Sequence, residues 1–270
     1  MTFLPIVVRE LRVASRRRST YWQRSGTALA VMAIGAWLFF VMQHEPPHRV
    51  AQFLFGLLTG GAVLYCLFSG VRYTADCLSE EKREGTLGLL FLTDLKGYDV
   101  VSGKLAATSL SSFYAVLAVV PMLALPLLLG GVTPGEFGRM ALVAINTLFF
   151  SLAAGICVSA LCHNARRAMG MTFLLILLFA AGFPAIWAWL AFVGRAKQVS
   201  GIFLLPSAGC NYYTAFDATY NTMRQARLFW GSLLLVHSLG WIFLALASVI
   251  APRTWQDLSL IHISEPTRPY

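Results

Sequence analysis

Residues 51–85 read "AQFLFGLLTGGAVLYCLFSGVRYTADCLSEEKREG", and the change of character inside this stretch decides the fold. Ala51–Val71 holds no Asp, Glu, Lys or Arg; then four carboxylates and two bases fall between Asp76 and Glu84. A run of roughly 20 apolar residues, rising about 1.5 Å each, crosses a hydrocarbon core of about 30 Å. The first part is therefore long enough to span a bilayer, and the charged part is its polar exit.

Five further runs repeat the pattern: Gly26–Met42, Leu105–Gly135, Ala141–Cys162, Ala168–Gly194 and Leu228–Ala251 also lack charged residues. The 270-residue chain is 57% hydrophobic and 12% charged, whereas a soluble globular chain is about 25% charged. The expected fold is all-α: a polytopic membrane protein with six transmembrane helices near 26–42, 51–71, 105–129, 140–162, 168–193 and 228–251. The first is the shortest, with Tyr21 and Trp22 just outside it as interface anchors.

Orientation follows from Lys and Arg. With the N-terminus in the cytoplasm, segments 1–25, 72–104, 163–167 and 252–257 lie inside and hold 14 bases, against 6 in 43–50, 136–140 and 194–227 outside. Both termini are thus expected inside. The net charge of +9 reads as a topology signal, and nucleic acid is not an expected partner. No secretory signal is visible, since the first apolar run follows a 25-residue basic segment. Of the five cysteines, Cys66, Cys157 and Cys162 fall in spans, and no C-x-x-C pattern supports a disulfide framework or a metal site.

Residues 1–25 carry helical periodicity, with Phe3, Val7, Leu11 and Ala14 on one stripe and Arg9, Arg12, Arg16, Arg17 and Arg18 opposite. A basic amphipathic helix lying in the lipid interface is expected there, membrane lipid being its partner. At the other end, Leu258–Arg268 translates one frame of a common transposase sequencing adapter. Residues 258–270 are therefore expected to be read-through, with the native chain continuing past Asp257.

Between the spans, His44 and His48 flank Pro46 and Pro47, which excludes a helical ligand pair. Pro121 and Pro126 in the third span and Pro184 in the fifth predict kinked helices. The kinks either shape a pathway or are simply tolerated by neighbouring groups. In the long outer segment 195–227, Phe216, Tyr220, Met223 and Arg227 share helical spacing. That spacing fits a short interfacial or re-entrant helix; a packed outer loop is the alternative.

Absent chemistry narrows the function. Ion-coupled transporters usually keep charged groups at mid-membrane depth, and here only His237 in the sixth span is ionisable. A packed, hydrogen-bonded histidine is the expected reading, rather than a proton relay. No G-x-S-x-G, H-E-x-x-H or embedded Asp pair is present. "GYDVVSGKL" at 97–105 imitates a P-loop, but five residues separate Gly97 from Gly103, and Leu105 stands where a Mg²⁺-binding hydroxyl belongs. The chain is not expected to hydrolyse ATP or to be an enzyme.

The charged segment holds Asp76, Glu80, Glu81, Glu84, Asp94 and Asp99, half of the 12 acidic residues. Glu80 and Glu84 repel across one turn, and Glu80–Arg83 is the favourable i,i+3 pair. Such carboxylates suit a basic protein partner, and the apolar "LGLLFL" run at 87–92 suits an interfacial anchor.

"SEEKREGTLGLLFLTDLKGYDVVSGKL" (79–105) resembles the segment between the second and third spans of type-2 ABC transporter permeases, the membrane subunits of ABC exporters. Glu80, Glu81, Arg83, Glu84, Gly85, Thr86, Leu87, Leu90, Gly103 and Lys104 match its pattern; "LTDLKGYD" replaces the Pro-containing turn of many members. The wider likeness covers residues 1–257, but 76–104 carries the specific motif. The resemblance implies a coupling helix over 76–96 seated in a separate P-loop ATPase, which would hold the ATP and Mg; no cofactor is expected in this chain. It implies Glu80, Glu81 and Glu84 as partners of ATPase bases, Arg83 paired with an ATPase acid or Glu80, and Gly85–Thr86 as a break. A second permease half is also implied, from a homodimer, a heterodimer or a further part of the polypeptide. The expected location is the bacterial inner membrane. The alternative function is a non-transporting membrane anchor docking a cytoplasmic protein through the same segment.

Overall fold

The computed structural model describes residues 18–87, 96–192 and 201–254. Every α-helical element among them follows in order: α1 (Arg18–Val41), α2 (Pro47–Ser69), α3 (Cys77–Arg83), α4 (Gly97–Leu117), α5 (Val120–Leu128), α6 (Pro134–Leu161), α7 (Ala165–Leu177), α8 (Phe183–Phe192), α9 (Ala208–Ala215), α10 (Asp217–Tyr220) and α11 (Met223–Thr254). Wider, π-type turns at Gly70–Thr74 and Leu178–Gly182 join α2 towards α3 and α7 to α8.

Among the described residues, five helical stretches are long and apolar enough to cross a membrane: Pro47–Arg83, Gly97–Leu128, Pro134–Leu161, Ala165–Leu190 and Met223–Arg253. Each contains most of one charge-free run. In the first of them α3 is the charged end, beyond the charge-free run. All of the run Gly26–Met42 but its last residue falls in the 24-residue helix α1, which is not one of the five. Arg18 opens α1, whereas Arg9, Arg12, Arg16, Arg17 and the interfacial helix expected there lie outside the described residues. So do residues 88–95, which include the rest of the apolar run, and the tail from 258 onward.

The hub is α6. Its sequence "SLAAGICVSA" (151–160) is buried at every position, because small side chains let neighbouring backbones come close. A Cβ on Gly70 would collide with the Ser151 carbonyl, and one on Gly155 with the Thr74 hydroxyl and the Gly70 carbonyl. Around α6 pack α2, α3, α4, α7, α9 and α11. Span five is the opposite case: 6% of the apolar window in Ala165–Leu190 is buried within the chain, against 78% in Pro134–Leu161.

The helices are interrupted at two of the three expected prolines, Pro121 and Pro184, while Pro126 lies inside α5, which runs on to Leu128. A proline has no N–H and crowds the carbonyl four residues back. Four residues before Pro121 is Leu117, where α4 stops; α5 begins at Val120. Four residues before Pro184 is Ala180, whose freed carbonyl accepts a hydrogen bond from Ser207 Oγ at 3.1 Å. Lipid offers no water to such a carbonyl, so a side chain must take it.

Residues 201–222 fold back onto the bundle. The Tyr212 hydroxyl in α9 donates to the Gly56 carbonyl of α2 at 2.6 Å. The single stripe expected from Phe216 to Arg227 is corrected here. Phe216 is an extended residue before α10, which ends at Tyr220, and Thr222 Oγ1 accepts the Gln225 N–H at 3.3 Å, capping the start of α11. Arg139 of α6 ion-pairs with Asp217, donates to the Ala215 carbonyl at 2.9 Å and lies 4.0 Å over the Tyr220 ring. Thr133 Oγ1 reaches the second Asp217 oxygen at 2.5 Å.

Candidate functional site

The charged segment is delivered by the π-type turn after α2. The Gly70 N–H donates to Ser151 Oγ at 2.9 Å, and Ser151 Oγ donates to the Cys66 carbonyl at 2.6 Å. Thr74 Oγ1 is within 2.9 Å of the Gly70 carbonyl and 3.0 Å of the Leu152 carbonyl. These bonds fix the direction in which the chain leaves the bundle.

A short helix leaves its first N–H groups without intrahelical partners. In α3 two of them find Ser159 of α6: Leu78 N–H and Ser79 N–H donate to its Oγ at 2.9 and 3.0 Å. Asp76 precedes the helix but turns its carboxylate elsewhere. Arg83 grips it with both terminal nitrogens, at 2.9 and 3.0 Å, and also donates to the His163 carbonyl at 3.3 Å. Two residues seven apart in sequence lie two turns apart on one face, which explains this pairing. It replaces the Glu80–Arg83 pair expected from spacing. The guanidinium, outweighing partial burial and helped by the Ser79 hydroxyl, holds the Asp76 carboxyl below the usual carboxylate range.

The next residues divide by face. Lys82 is buried, and its Nζ donates to the Ala160 carbonyl in the last turn of α6. The negative end of a helix dipole suits a cation there, while burial pushes the Lys82 ammonium down to about 8. Glu81 is buried too, and its Oε1 lies 2.8 Å from Lys104 Nζ of α4, with the two side chains 8% and 9% exposed. Glu80 and Glu84 face outward and are exposed.

Gly85 ends the helix with φ +70, a left-handed backbone that glycine adopts without strain. Thr86 Oγ1 donates back to the Glu81 carbonyl at 3.3 Å. Leu87 then enters an apolar cluster with Leu78, Val100, Val101 and Ile156. The P-loop imitation at 97–105 is the opening of α4, a helix: Asp99 accepts the Lys96 N–H at 3.2 Å, and Gly97 sits so close to α11 that a Cβ would strike the Ser248 carbonyl.

The structure thus gathers Glu80, Glu81, Arg83, Glu84, Gly85 and Thr86 into one helix and its turn. Sequence reasoning missed Asp76 as the partner of Arg83, Ser159 as the seat of α3, and Lys104 as the partner of Glu81. One signal for Lys104 was present: a lysine heading a charge-free run needs a counter-charge. His237 is hydrogen-bonded as expected, although it lies on the exposed side of α11 rather than in the core. Its Nδ1 lies 3.1 Å from Asn146 Oδ1, and Trp241 donates to Nε2 at 3.1 Å. An indole can only donate, so the Nδ1-protonated tautomer fits.

Two apolar cavities flank α2. One of about 170 Å³ opens where α4 breaks into α5, between Phe113, Val116, Leu123 and Met140. The other, about 390 Å³, lies between Leu64, Phe68, Phe173 and Leu177. Among the described residues no charged side chain lines either.

These features define an integral membrane protein of stacked apolar helices with a charged helix clamped beside the hub. The family model described as "ABC-2 family transporter protein" matches residues 17–256. The chain belongs to that family, whose members are membrane components of ABC transporters and normally work with a separate ATPase subunit. A search of curated proteins found no match.

Proposed function

We propose that this chain is the permease subunit of an ATP-driven exporter, forming the membrane pathway and receiving the stroke of a separate ATPase through residues 76–96. One observation carries the reading. The inner side of α3 is clamped to α6 and α4 through Ser159, Ala160 and Lys104, while Glu80 and Glu84 remain on its exposed side. A push on such a helix is handed to the bundle rather than absorbed by a loose loop.

In this reading α1 supplies the sixth crossing, and the excess of bases in the segments around α3 puts the N-terminus in the cytoplasm. The membrane is the bacterial inner membrane. ATP and Mg reside on the partner, and a second permease half completes the pathway. Apolar cavities without charged linings favour an apolar or amphiphilic cargo.

The test is the Glu80→Lys/Glu84→Lys double variant. It should fold with stability within about 0.5 kcal/mol of the parent, as surface changes do, yet lose the P-loop ATPase on affinity purification. Retention of a fully active ATPase by the double variant would sink the proposal. Reconstitution in vesicles separates the rival: a membrane anchor moves no cargo when ATP is supplied.

A further inference from the structure

We infer that the buried Glu81–Lys104 ion pair is the strut that carries movement of α3 into the third span, so that Glu81 is a positioning residue inside the permease rather than a contact for the ATPase. The inference rests on the reading of the chain as a permease driven through α3.

The attachments of α3 differ in kind. Towards α6 they are many: two N–H groups on Ser159, the Lys82 ammonium on the Ala160 carbonyl, and Arg83 on the His163 carbonyl. The hub itself is close-packed through Gly155 and Gly70, so α3 and α6 form one rigid body. Towards α4 the described attachments include apolar and charged contacts. Leu78 and Leu87 touch Val100 and Val101 in the apolar cluster, and Glu81 meets Lys104 at 2.8 Å. Apolar contacts are non-directional, whereas a charge pair shielded from water holds a fixed distance and register.

What lies beyond Lys104 can move. The third span is interrupted after Leu117, and 18% of its apolar window is buried, so it is held far more loosely than α6. Pro121 leaves the Leu117 carbonyl without a helical donor, which makes the joint between α4 and α5 a natural hinge. A thrust arriving at Lys104 travels up α4 to this joint. The joint borders the 170 Å³ cavity lined by Val116, Val119 and Val120, so its bending reshapes that space.

Hydrogen–deuterium exchange on the assembled complex, with ATP and vanadate as the trigger, reads the hinge without a known cargo. In the parent protein the trigger should change exchange in peptides covering residues 113–123 by about threefold or more, as local opening shifts. Lys104→Gln should abolish that change while the ATPase stays bound and hydrolyses ATP. The reversed pair, Glu81→Lys with Lys104→Glu, should restore it, and so should the conservative Lys104→Arg.

Lys104→Gln responding to the trigger as the parent does would overturn the inference alone. Loss of the ATPase from Glu81→Gln, with the bundle still folded, would make Glu81 a docking residue and overturn it too. If Lys104→Gln fails to fold, the reversed pair decides: folded but unresponsive overturns the strut, and folded and responsive supports it. A parent protein that binds no ATPase overturns the underlying reading as well, which distinguishes the two failures.

Discussion

The two ends of α6 are both held by charge, yet they are built differently. At its N-terminal end Arg139, Asp217 and Thr133 turn towards one another, with Tyr220 beneath the guanidinium, so the cluster closes on itself. At the other end Asp76, Lys82 and Arg83 are likewise engaged within the chain, but Glu80 and Glu84 stand clear of it. A closed cluster shapes a loop; under the proposed function, the two exposed carboxylates are what an ATPase would meet. The contrast to be tested is between charge spent inside the chain and charge left on its surface.

The largest expected effect breaks the comparison by removing the hub between the two ends. Gly155→Leu places a branched side chain against the Thr74 hydroxyl and the Gly70 backbone. Overpacking of this sort costs about 3 kcal/mol or more, and a thermal unfolding scan in detergent should show a lowered midpoint with both ends disturbed together. Ser159→Ala acts on the α3 end alone. It strands the Leu78 and Ser79 N–H groups at a cost of about 1–3 kcal/mol. Trypsin should then cut after Lys82 or Arg83 faster than in the parent, while the outer segment keeps its resistance.

Arg139→Met sharpens the comparison from the other side. Asp217 is more than a third exposed, so solvent screens the loss, and about 1 kcal/mol is expected. Faster proteolysis within 201–227, with ATPase association unchanged, would check that the outer cluster is purely internal. The smallest effect concerns acid. The Asp76 carboxyl is depressed in the folded chain, so its contribution is complete above the ordinary carboxylate value near about 3.9 and fades as pH falls through the lower folded value. Between pH 7 and 5 the melting midpoints of the parent and Asp76→Asn should differ by a constant amount, and the gap should narrow below pH 4. A gap that already closes between pH 7 and 5 would contradict this.

Much of the architecture was legible because hydrocarbon is an unforgiving solvent. Charge-free runs marked the five stretches that satisfy length and composition, and Pro121 and Pro184 marked where helices break. The stripe from Phe216 to Arg227 was misread because spacing continued across a cap: Phe216, Tyr220 and Met223 keep step, but Thr222 starts a new helix between them. The charged helix was legible as a cluster and opaque in its facing. Glu80 and Glu84 sit nearly above one another on a helix of 3.6 residues per turn, while Glu81 points about 100° away. Periodicity could separate them, but it could not say that Lys104 waited on the other face, because that partner comes from a different helix.

The bond from Ser207 to the Ala180 carbonyl, opened by Pro184, has a consequence for how the outer half of the molecule behaves. In a dry interior nothing competes for that oxygen, and parting from Ser207 would leave a bare dipole in hydrocarbon. Once water arrives, the same oxygen loses almost nothing by letting go. Span five and the segment that begins at Ser207 are therefore fastened in part by dryness: this bond is strong while its surroundings are oily and counts for little where water can replace it.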